Sequence, residues 1–225
     1  MSGTLYVVAT PIGNLEDITL RALRVLKEVS AIVCEDTRVT AKLLARFEIQ
    51  KPLVSVHEHS ADAVVQRLVE RMEQGESIAY VSDAGTPGVN DPGGKLVEAV
   101  IERKMTVVPI PGASAVTTAI SVSGFAMDEF TYLGFVPHKK GRETMFREIG
   151  ERKTASIFFE STHRIEKTLD QLAGHLDPAR RIFIGRELTK MHETLYRGTI
   201  DEVREALHAT STKGEFVVIV GPASK

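Results

Sequence analysis

The sequence predicts an α/β protein of two domains, with a mostly parallel sheet in the N-terminal domain and a mixed sheet in the C-terminal domain. In the first half, short β-rich apolar runs alternate with stretches whose apolar residues recur at helical spacing. In the second half, strand patterns outnumber helix patterns, which favours some antiparallel pairing. Gly124 and the acidic pair Asp128-Glu129 interrupt the pattern at Ser123–Phe130. We therefore expect domains at residues 1–123 and 124–225.

The first half alternates strand and helix patterns with short connections between them. The expected strands are Thr4–Ala9, Ala31–Glu35, Leu53–Val56, Ser77–Val81 and Thr106–Ile110. The expected helices are Thr19–Val29, Thr40–Phe47, Ala61–Met72, Gly93–Glu102 and Ser114–Val122. Strands joined through helices run parallel, and the helices cover both faces of the sheet.

The second half has five strand patterns and three helix patterns. The expected strands are Thr131–Phe135, Ala155–Phe159, Ile182–Gly185, Thr194–Arg197 and Phe216–Val220. The expected helices are Glu143–Glu151, Arg164–Leu172 and Ile200–Leu207. With fewer helices than connections, some strands must follow one another directly, which predicts a smaller domain with a mixed sheet.

Composition indicates an ordinary globular protein. Apolar residues make up 43% and charged residues 26% of the sequence, and the formal net charge is −2. This charge argues against a surface that grips nucleic acid through bulk electrostatics, although a local basic strip remains possible. Cys34 is the single cysteine, which excludes an intramolecular disulfide and suits a reducing compartment. Without a membrane-length apolar run or a signal-peptide pattern, the expected location is the cytoplasm.

The densest chemical signal is the glycine- and proline-rich turn Ser82–Gly88, which follows an expected strand. Glycine allows backbone groups to approach a ligand closely, and ligands of open α/β sheets bind beyond the carboxyl ends of strands. A plain strand-to-helix connection, with Asp91 capping a helix ahead of Pro92, is the alternative interpretation. The turn is longer than such a connection needs, so the pattern favours ligand binding.

Two further turns, at residues 10–14 and 109–115, end strands that should share the same sheet edge. Each turn alone is weak support, because turns commonly contain glycine and proline. Neither the Gly-x-Gly-x-x-Gly fingerprint nor a Gly-Lys-Ser/Thr phosphate loop is present. The sequence therefore predicts a ligand that is not held by its phosphates.

Motifs spread over nearly the whole chain carry a family resemblance. They read VATPIGNLEDITLRAL, CEDTR, SDAGTPGVNDPG, PIPGASA, YLGF, FFESTHR and RELTKMHE. The chain resembles the ribosomal RNA branch of the tetrapyrrole methylase superfamily. The resemblance implies a two-domain, non-Rossmann class III methyltransferase that binds S-adenosyl-L-methionine in a cleft between domains. It also implies a homodimer that methylates the ribose 2′-oxygen of a cytidine in the decoding centre of 16S rRNA. Members often continue past the position of Lys225 with a small helical extension.

The same resemblance implies a set of residues that contact the cofactor. In the N-terminal half these lie in the three turns, and in the C-terminal half they lie at two strand ends. The implied residues are Pro11, Asp83, Ala84, Gly85, Thr86, Val89, Ser114, Ala115, Phe159 and Leu188.

Methyl transfer to a ribose hydroxyl needs a base or a cation that stabilises the developing oxyanion. The candidates are Glu187, Lys190, Arg38 and Glu160. Alternatively, residues 35–38 form a helix N-cap with a surface ion pair, and Glu187 and Lys190 form a simple salt bridge. His57 and His59 flank Glu58 as metal ligands could, but no third ligand is evident, so no metal site is expected.

His138-Lys139-Lys140-Gly141-Arg142 is the one compact basic loop. A solvated surface loop is the default interpretation, whereas in an RNA enzyme Lys139, Lys140 and Arg142 become candidates for phosphate contacts. Arg164 is a further candidate for RNA binding.

Two other functions remain open. A methylase acting on a porphyrin precursor would usually carry Gly-x-Gly-Pro-Gly-Asp after the first strand and Gly-Asp-Pro in the central turn. Here the stretches read Ala-Thr-Pro-Ile-Gly-Asn and Gly-Thr-Pro, which favours the ribosomal branch. A non-catalytic RNA-binding assembly module is the second alternative, although the ligand turns look intact.

Overall fold

The computed structural model of the protein describes residues 2–56, 62–89 and 94–223. The chain divides into two compact units, Met1–Ser114 and Ala115–Lys225. Each unit contains a five-stranded sheet. Among the described residues, no helix combines the length and the apolar character that crossing a bilayer requires.

The first unit is a parallel α/β sheet, as the alternation of patterns predicts. Its strands are β1 (Thr4–Val8), β2 (Ala31–Cys34), β3 (Leu53–Ser55), β4 (Ile78–Val81) and β5 (Thr106–Ile110). Its helices are α1 (Leu20–Glu28), α2 (Thr37–Arg46), α3 (Asp62–Glu73) and α4 (Gly94–Glu102), with a 3-10 turn at Leu15–Asp17. The strands pair in parallel in the order β3-β2-β4-β1-β5, so their carboxyl ends share one edge.

Helices cover both faces of this sheet. Side chains of alternate strand residues point to opposite faces, so Ile78 and Tyr80 of β4 pack with α3 and α4, while Ala79 and Val81 pack with α1 and α2. All four residues of β4 are buried, which explains why this strand is apolar throughout and does not alternate.

The second unit contains a mixed sheet. Its strands are β6 (Phe130–Phe135), β7 (Ala155–Ser161), β8 (Arg181–Arg186), β9 (Thr194–Thr199) and β10 (Glu215–Val220). Its helices are α5 (Ala115–Ser123), α6 (Arg142–Glu151), α7 (Ile165–Ala173) and α8 (Ile200–Thr210). The order is β6-β7-β10-β8-β9, in which only the β6–β7 pair is parallel. The predicted mixed sheet is confirmed.

Helix α5 groups with the second sheet. It contacts β8 and β10, and the second unit begins at its first residue, Ala115. The expected boundary after residue 123 placed this helix in the first domain. Its helical pattern could not show which sheet it covers, because periodicity identifies an apolar face but not the partner of that face.

A buried arginine joins the connections of the second unit. Arg180 is 4% exposed, and its guanidinium donates to the backbone carbonyls of five residues. These are Ile149, Gly150, Arg152, Thr154 and Gly221, at donor–acceptor distances of 2.7–3.4 Å. Burial lowers the pKa of Arg180, yet the group stays charged because arginine is protonated throughout the physiological range. The N–H groups of its guanidinium thus donate to backbone carbonyls in the last turn of α6 and in the segment that connects α6 to β7.

We expect Arg180→Met to lower the free energy of unfolding by roughly 3 kcal/mol, because it leaves buried carbonyls without a donor. Urea denaturation monitored by circular dichroism measures this change. The control is Arg147→Met, which alters an exposed arginine of α6 and should change stability little. Equal stabilities of the two variants would contradict the role assigned to Arg180.

Candidate functional site

The three glycine- and proline-rich turns lie together at the carboxyl edge of the first sheet. They follow β4, β1 and β5, which are neighbours in the sheet. Thr10 donates its backbone N–H to the carbonyl of Gly85 (2.9 Å), and Gly85 donates its N–H to the carbonyl of Thr10 (3.0 Å). The third turn is attached through the hydroxyl of Thr86, which donates to the carbonyl of Ala113 at 3.1 Å. Hydrogen bonds therefore join turns that are far apart in sequence.

Two buried hydroxyl groups hold the central turn in shape. The hydroxyl of Thr10 donates to the carbonyl of Ser82 (3.1 Å), and the hydroxyl of Ser82 donates to the carbonyl of Gly85 (2.9 Å). Each of these residues is only 2% exposed. The sequence did not single out these residues, although a hydroxyl residue at the end of each of two strands was a usable signal. Their bonds fix the direction of the turn's carbonyl groups.

Gly85 is required at its position by the backbone. Its φ of +85° lies in the left-handed region, which residues with a Cβ rarely adopt. A Cβ there would lie 3.4 Å from Cγ2 of Ile12, in the first turn. The first turn therefore packs closely on the second, and the path of the chain at this edge depends on glycine.

The N-terminal residues that the resemblance assigns to the cofactor border these joined turns. Pro11 is buried, Asp83, Thr86 and Ser114 are partly exposed, and Ala84 is exposed. Val89 is 40% exposed, and Ala115 is the first residue of α5. An edge with partly exposed residues and an exposed apolar side chain can bind a ligand through main-chain hydrogen bonds and one apolar contact.

A polar cavity of about 390 Å³ adjoins the central turn. The backbone N–H of Asp36 donates to a carboxylate oxygen of Asp83 (3.1 Å), which links the loop after β2 to the turn after β4. The hydroxyl of Ser55 donates to the carbonyl of Glu35 (2.9 Å) and adds the end of β3. The cavity thus continues along the same sheet edge. Its lining residues are Glu35, Asp36, Thr37, Arg38, Ser55 and Asp83.

Arg38 lies at this cavity in an exposed ion pair. Its guanidinium contacts the carboxylate of Asp36 at 2.6 Å, and 86% of its side chain is exposed. Asp36 also caps α2 by accepting from the backbone N–H of Arg38 (2.8 Å). The hydrogen bonds from Arg38 lower the pKa of Asp36 to about 2, so this carboxylate is a poor base near neutral pH. The structure matches the capping and ion-pair alternative, and a catalytic role of Arg38 stays a prediction.

Glu160 lies in a buried charged cluster and not in an open site. Its side chain is fully buried, and Oε1 accepts from Nη2 of Arg164 at 2.6 Å. Its Oε2 accepts from the hydroxyl of Thr168 at 2.6 Å. A guanidinium nitrogen of Arg142 lies 3.7 Å from the same oxygen. These contacts correct the expectation of an available base, because both oxygens already hold structural partners.

Arg142 is likewise committed to this cluster. It is 6% exposed and donates to Thr168 (2.6 Å), Gln171 (2.6 Å) and the carbonyl of Pro137 (3.3 Å). A guanidinium so enclosed is not available to RNA phosphates, which corrects the expectation that Arg142 contacts RNA. Lys139 and Lys140, in the same loop, are exposed. Arg164 keeps 18% of its side chain exposed, and its RNA contact stays a prediction.

Glu187 and Lys190 form a three-membered ionic cluster with Glu215. Nζ of Lys190 lies 3.0 Å from Glu187 and 2.9 Å from Glu215. The backbone N–H of Glu215 also donates to Oε1 of Glu187 at 2.8 Å. Glu215 was missed from the sequence, because a partner on β10 is distant along the chain and only the sheet pairing brings it close.

The titration of this cluster follows from its contacts. Burial alone would raise the pKa of Glu187, but the hydrogen bond from Glu215 and the Lys190 ammonium outweigh it, so the pKa is lowered. Burial alone would lower the pKa of Lys190, but the two carboxylates outweigh it, so this pKa is raised. Near neutral pH Glu187 is therefore a carboxylate and Lys190 an ammonium. Neither is poised to accept a proton.

The backbone around this cluster is strained. Glu187 has a φ of 50° and Thr189 a φ of 65°, both in the left-handed region without being glycine. Such positions cluster at functional sites. Leu188, between them, is 6% exposed, and Phe159 is half-buried near the end of β7.

The expected residues His57, Glu58, His59, Asp91 and Pro92 lie outside the described residues.

Comparison with known proteins identifies a family. The family model for Tetrapyrrole (Corrin/Porphyrin) Methylases matches residues 4–204. A protein of Halalkalibacterium halodurans named ribosomal RNA small subunit methyltransferase I is 47% identical, over 97% of this chain and 75% of its own length. A protein of Neisseria meningitidis with the same name is 48% identical, over 99% of this chain and 77% of its own.

Solved structures share the fold. A uroporphyrin-III-C-methyltransferase from Thermus thermophilus superposes with a TM-score of 0.66 over 97% of this chain and 94% of its own, at 19% identity. At that identity the similarity concerns the arrangement of the elements and carries no substrate with it.

We expect Glu187→Gln to destabilise the protein in a pH-dependent manner. The pKa of Glu187 is lowered in the folded state, so its ionised form stabilises the fold above about pH 4.3, the ordinary glutamate value. This contribution is lost as the pH falls through the folded-state pKa. Urea unfolding of the variant and the wild type should therefore differ most near neutral pH and least in acid. The exposed Glu205→Gln serves as control, and a pH-independent difference for Glu187→Gln would contradict the assignment.

Proposed function

This chain belongs to the tetrapyrrole methylase family of S-adenosyl-L-methionine-dependent methyltransferases, and we propose that it methylates the RNA of the small ribosomal subunit. The observation that carries the proposal is its similarity, over nearly the whole chain, to proteins named ribosomal RNA small subunit methyltransferase I. The finer proposal is transfer to the ribose 2′-oxygen of cytidine 1402 in 16S rRNA. We also propose that the protein acts as a homodimer and that it acts in the cytoplasm.

The joined turns of the first unit fit the cofactor. S-adenosylmethionine has no phosphate, and its adenine, ribose and amino-acid parts suit backbone donors and acceptors beside apolar walls. The φ of +85° at Gly85 leaves a residue with a side chain no relaxed backbone conformation there. The joined turns therefore favour a ligand that is bound through hydrogen bonds to main-chain groups. The residues proposed to hold it are Pro11, Asp83, Ala84, Gly85, Thr86, Val89, Ser114 and Ala115. Phe159 and Leu188 of the second unit are proposed as cofactor contacts on the family resemblance alone.

When bound, the cofactor supplies a methyl group on a sulfonium centre. The chain's own contribution is to position the ribose hydroxyl and to stabilise the negative charge on its oxygen once the hydroxyl proton has passed to water, so that this oxygen can take the methyl group. Among the proposed catalytic residues, Lys190 suits this role best, because the two carboxylates keep it a fixed ammonium. Glu187 then acts as a positioning residue that holds Lys190 in place.

The RNA contacts proposed here are Lys139 and Lys140 in the loop before α6, and Arg164, the N-cap residue of α7. The lysines are exposed, and lysine binds phosphate as a point charge. A local basic strip is compatible with the net charge of −2, because a folded ribosomal particle is bound through a limited contact area.

Methyl transfer to ribosomal subunits tests the proposed function. We expect the protein to transfer label from S-adenosylmethionine to small subunits from a strain that lacks this gene, with the label mapping to a ribose of 16S rRNA. Subunits from the parent strain, which are already modified, serve as the matched control and should accept little label. Transfer to a porphyrin precursor instead would refute the RNA proposal, and absence of cofactor binding in calorimetry would leave only an RNA-binding module.

The role of Lys190 has its own test. We expect Lys190→Gln to lower kcat by roughly 100-fold while cofactor affinity by calorimetry stays unchanged, because one charge that stabilises an oxyanion is lost. Lys190→Arg keeps the charge and should recover part of the rate. Lys167→Gln, on the exposed face of α7, is the control for a lost lysine. An unchanged kcat for Lys190→Gln would remove Lys190 from the mechanism.

A further inference from the structure

Strand β6 contains a bulge just before its end. Tyr132 pairs with Ile157 and Phe135 pairs with Phe159, so three steps on β6 oppose two steps on β7. Gly134, within the bulge, has a φ of +68° that suits a residue without a side chain. Because side chains alternate between faces, one extra residue reverses the face on which Phe135 lies.

The bulge places Phe135 on an aromatic face. The ring of Phe159 meets Tyr132 edge-to-face at 5.3 Å and Phe135 at 5.4 Å between centroids. Leu133, by contrast, packs against the helix-covered core of this unit. Phe135 remains 55% exposed despite these contacts. The strand end therefore holds a large apolar ring at the surface, on a support of two further rings.

A rigidly anchored basic loop follows this ring directly. The guanidinium of Arg142 donates to the carbonyl of Pro137 (3.3 Å), and its backbone N–H donates to the carbonyl of Lys139 (3.3 Å). Arg142 is itself fixed by the buried Glu160 cluster. Lys139 and Lys140 stand exposed between these anchors, and among the described residues they form no ion pair with a carboxylate. The loop thus presents positive charge four and five residues after the aromatic ring along the chain.

We propose that Phe135 is a stacking platform for an unpaired base of the RNA substrate, with Lys139 and Lys140 on the adjoining phosphates. The proposal rests on the proposed function and adds a residue that contacts a base of the RNA. Single-stranded nucleic acid is bound by an aromatic ring for the base next to cations for the backbone. An apolar partner protein would not need the lysines, and their charge complements phosphate.

Affinity for undermethylated small ribosomal subunits, measured by filter binding over a range of salt concentrations, tests this surface. We expect Phe135→Ala to weaken binding roughly 5- to 150-fold without changing the salt slope, because stacking releases no counterions. Phe135→Trp should bind as the wild type does. The double variant Lys139→Gln/Lys140→Gln should instead flatten the salt slope. Phe130→Ala is the matched control, since Phe130 is 43% exposed at the opposite end of the same strand.

Three outcomes would overturn the proposal. Unchanged subunit affinity of Phe135→Ala would remove the stacking role. Loss of S-adenosylmethionine affinity in calorimetry would make Phe135 part of the cofactor wall, and a changed sedimentation coefficient would make it a contact between copies of this chain. Failure of the proposed function is seen separately, because in that case the wild-type protein transfers no methyl group to the subunits.

Discussion

The reciprocal hydrogen bonds between Thr10 and Gly85 are the constraint on which the candidate site depends. β1 and β4 run parallel, yet the segments that follow them pair as an antiparallel bridge. The chain after β4 must therefore reverse direction at once, and a left-handed residue allows that reversal. Once the reversal is made, the hydroxyl of Thr10 satisfies the carbonyl of Ser82, and the hydroxyl of Ser82 gives the carbonyl of Gly85 a second donor beside the backbone N–H of Thr10.

The pattern of strands and turns was predictable because it arises from local rules. Period-two and helical spacing located the elements, and parallel strands bring their carboxyl ends to one edge without further information. The contacts between side chains were not predictable in the same way. Because Arg142 comes soon after two exposed lysines, the sequence predicts a third surface cation. In the structure its guanidinium is buried and lies near the carboxylate of Glu160 on β7. Only the packing of α6 on that strand reveals this contact.

The same limit explains Glu215 and Phe135. Glu215 joins Lys190 through a sheet pairing between segments that are distant in sequence, and no local pattern encodes that distance. The face on which Phe135 lies depends on an extra residue in β6, and regular alternation would place the ring on the opposite face. Gly134 is the feature of the sequence that indicates the bulge. A single glycine in a strand can also mark a bend or a close approach of another backbone, so it did not predict the bulge by itself.

The degree of burial distinguishes the cations of the second unit that have structural roles from those that are functional candidates. Arg180 and Arg142 are each almost fully buried and meet carbonyls or a carboxylate on several sides, so their hydrogen bonds offset the cost of desolvation. Lys190 differs, because 29% of its side chain is exposed and it follows a strained backbone segment. A cation held by two carboxylates but still partly exposed can meet a substrate oxygen without moving. An enclosed arginine lacks that combination of fixed position and access, and this is why we propose the loop after β8, and not the buried arginines, for the chemistry.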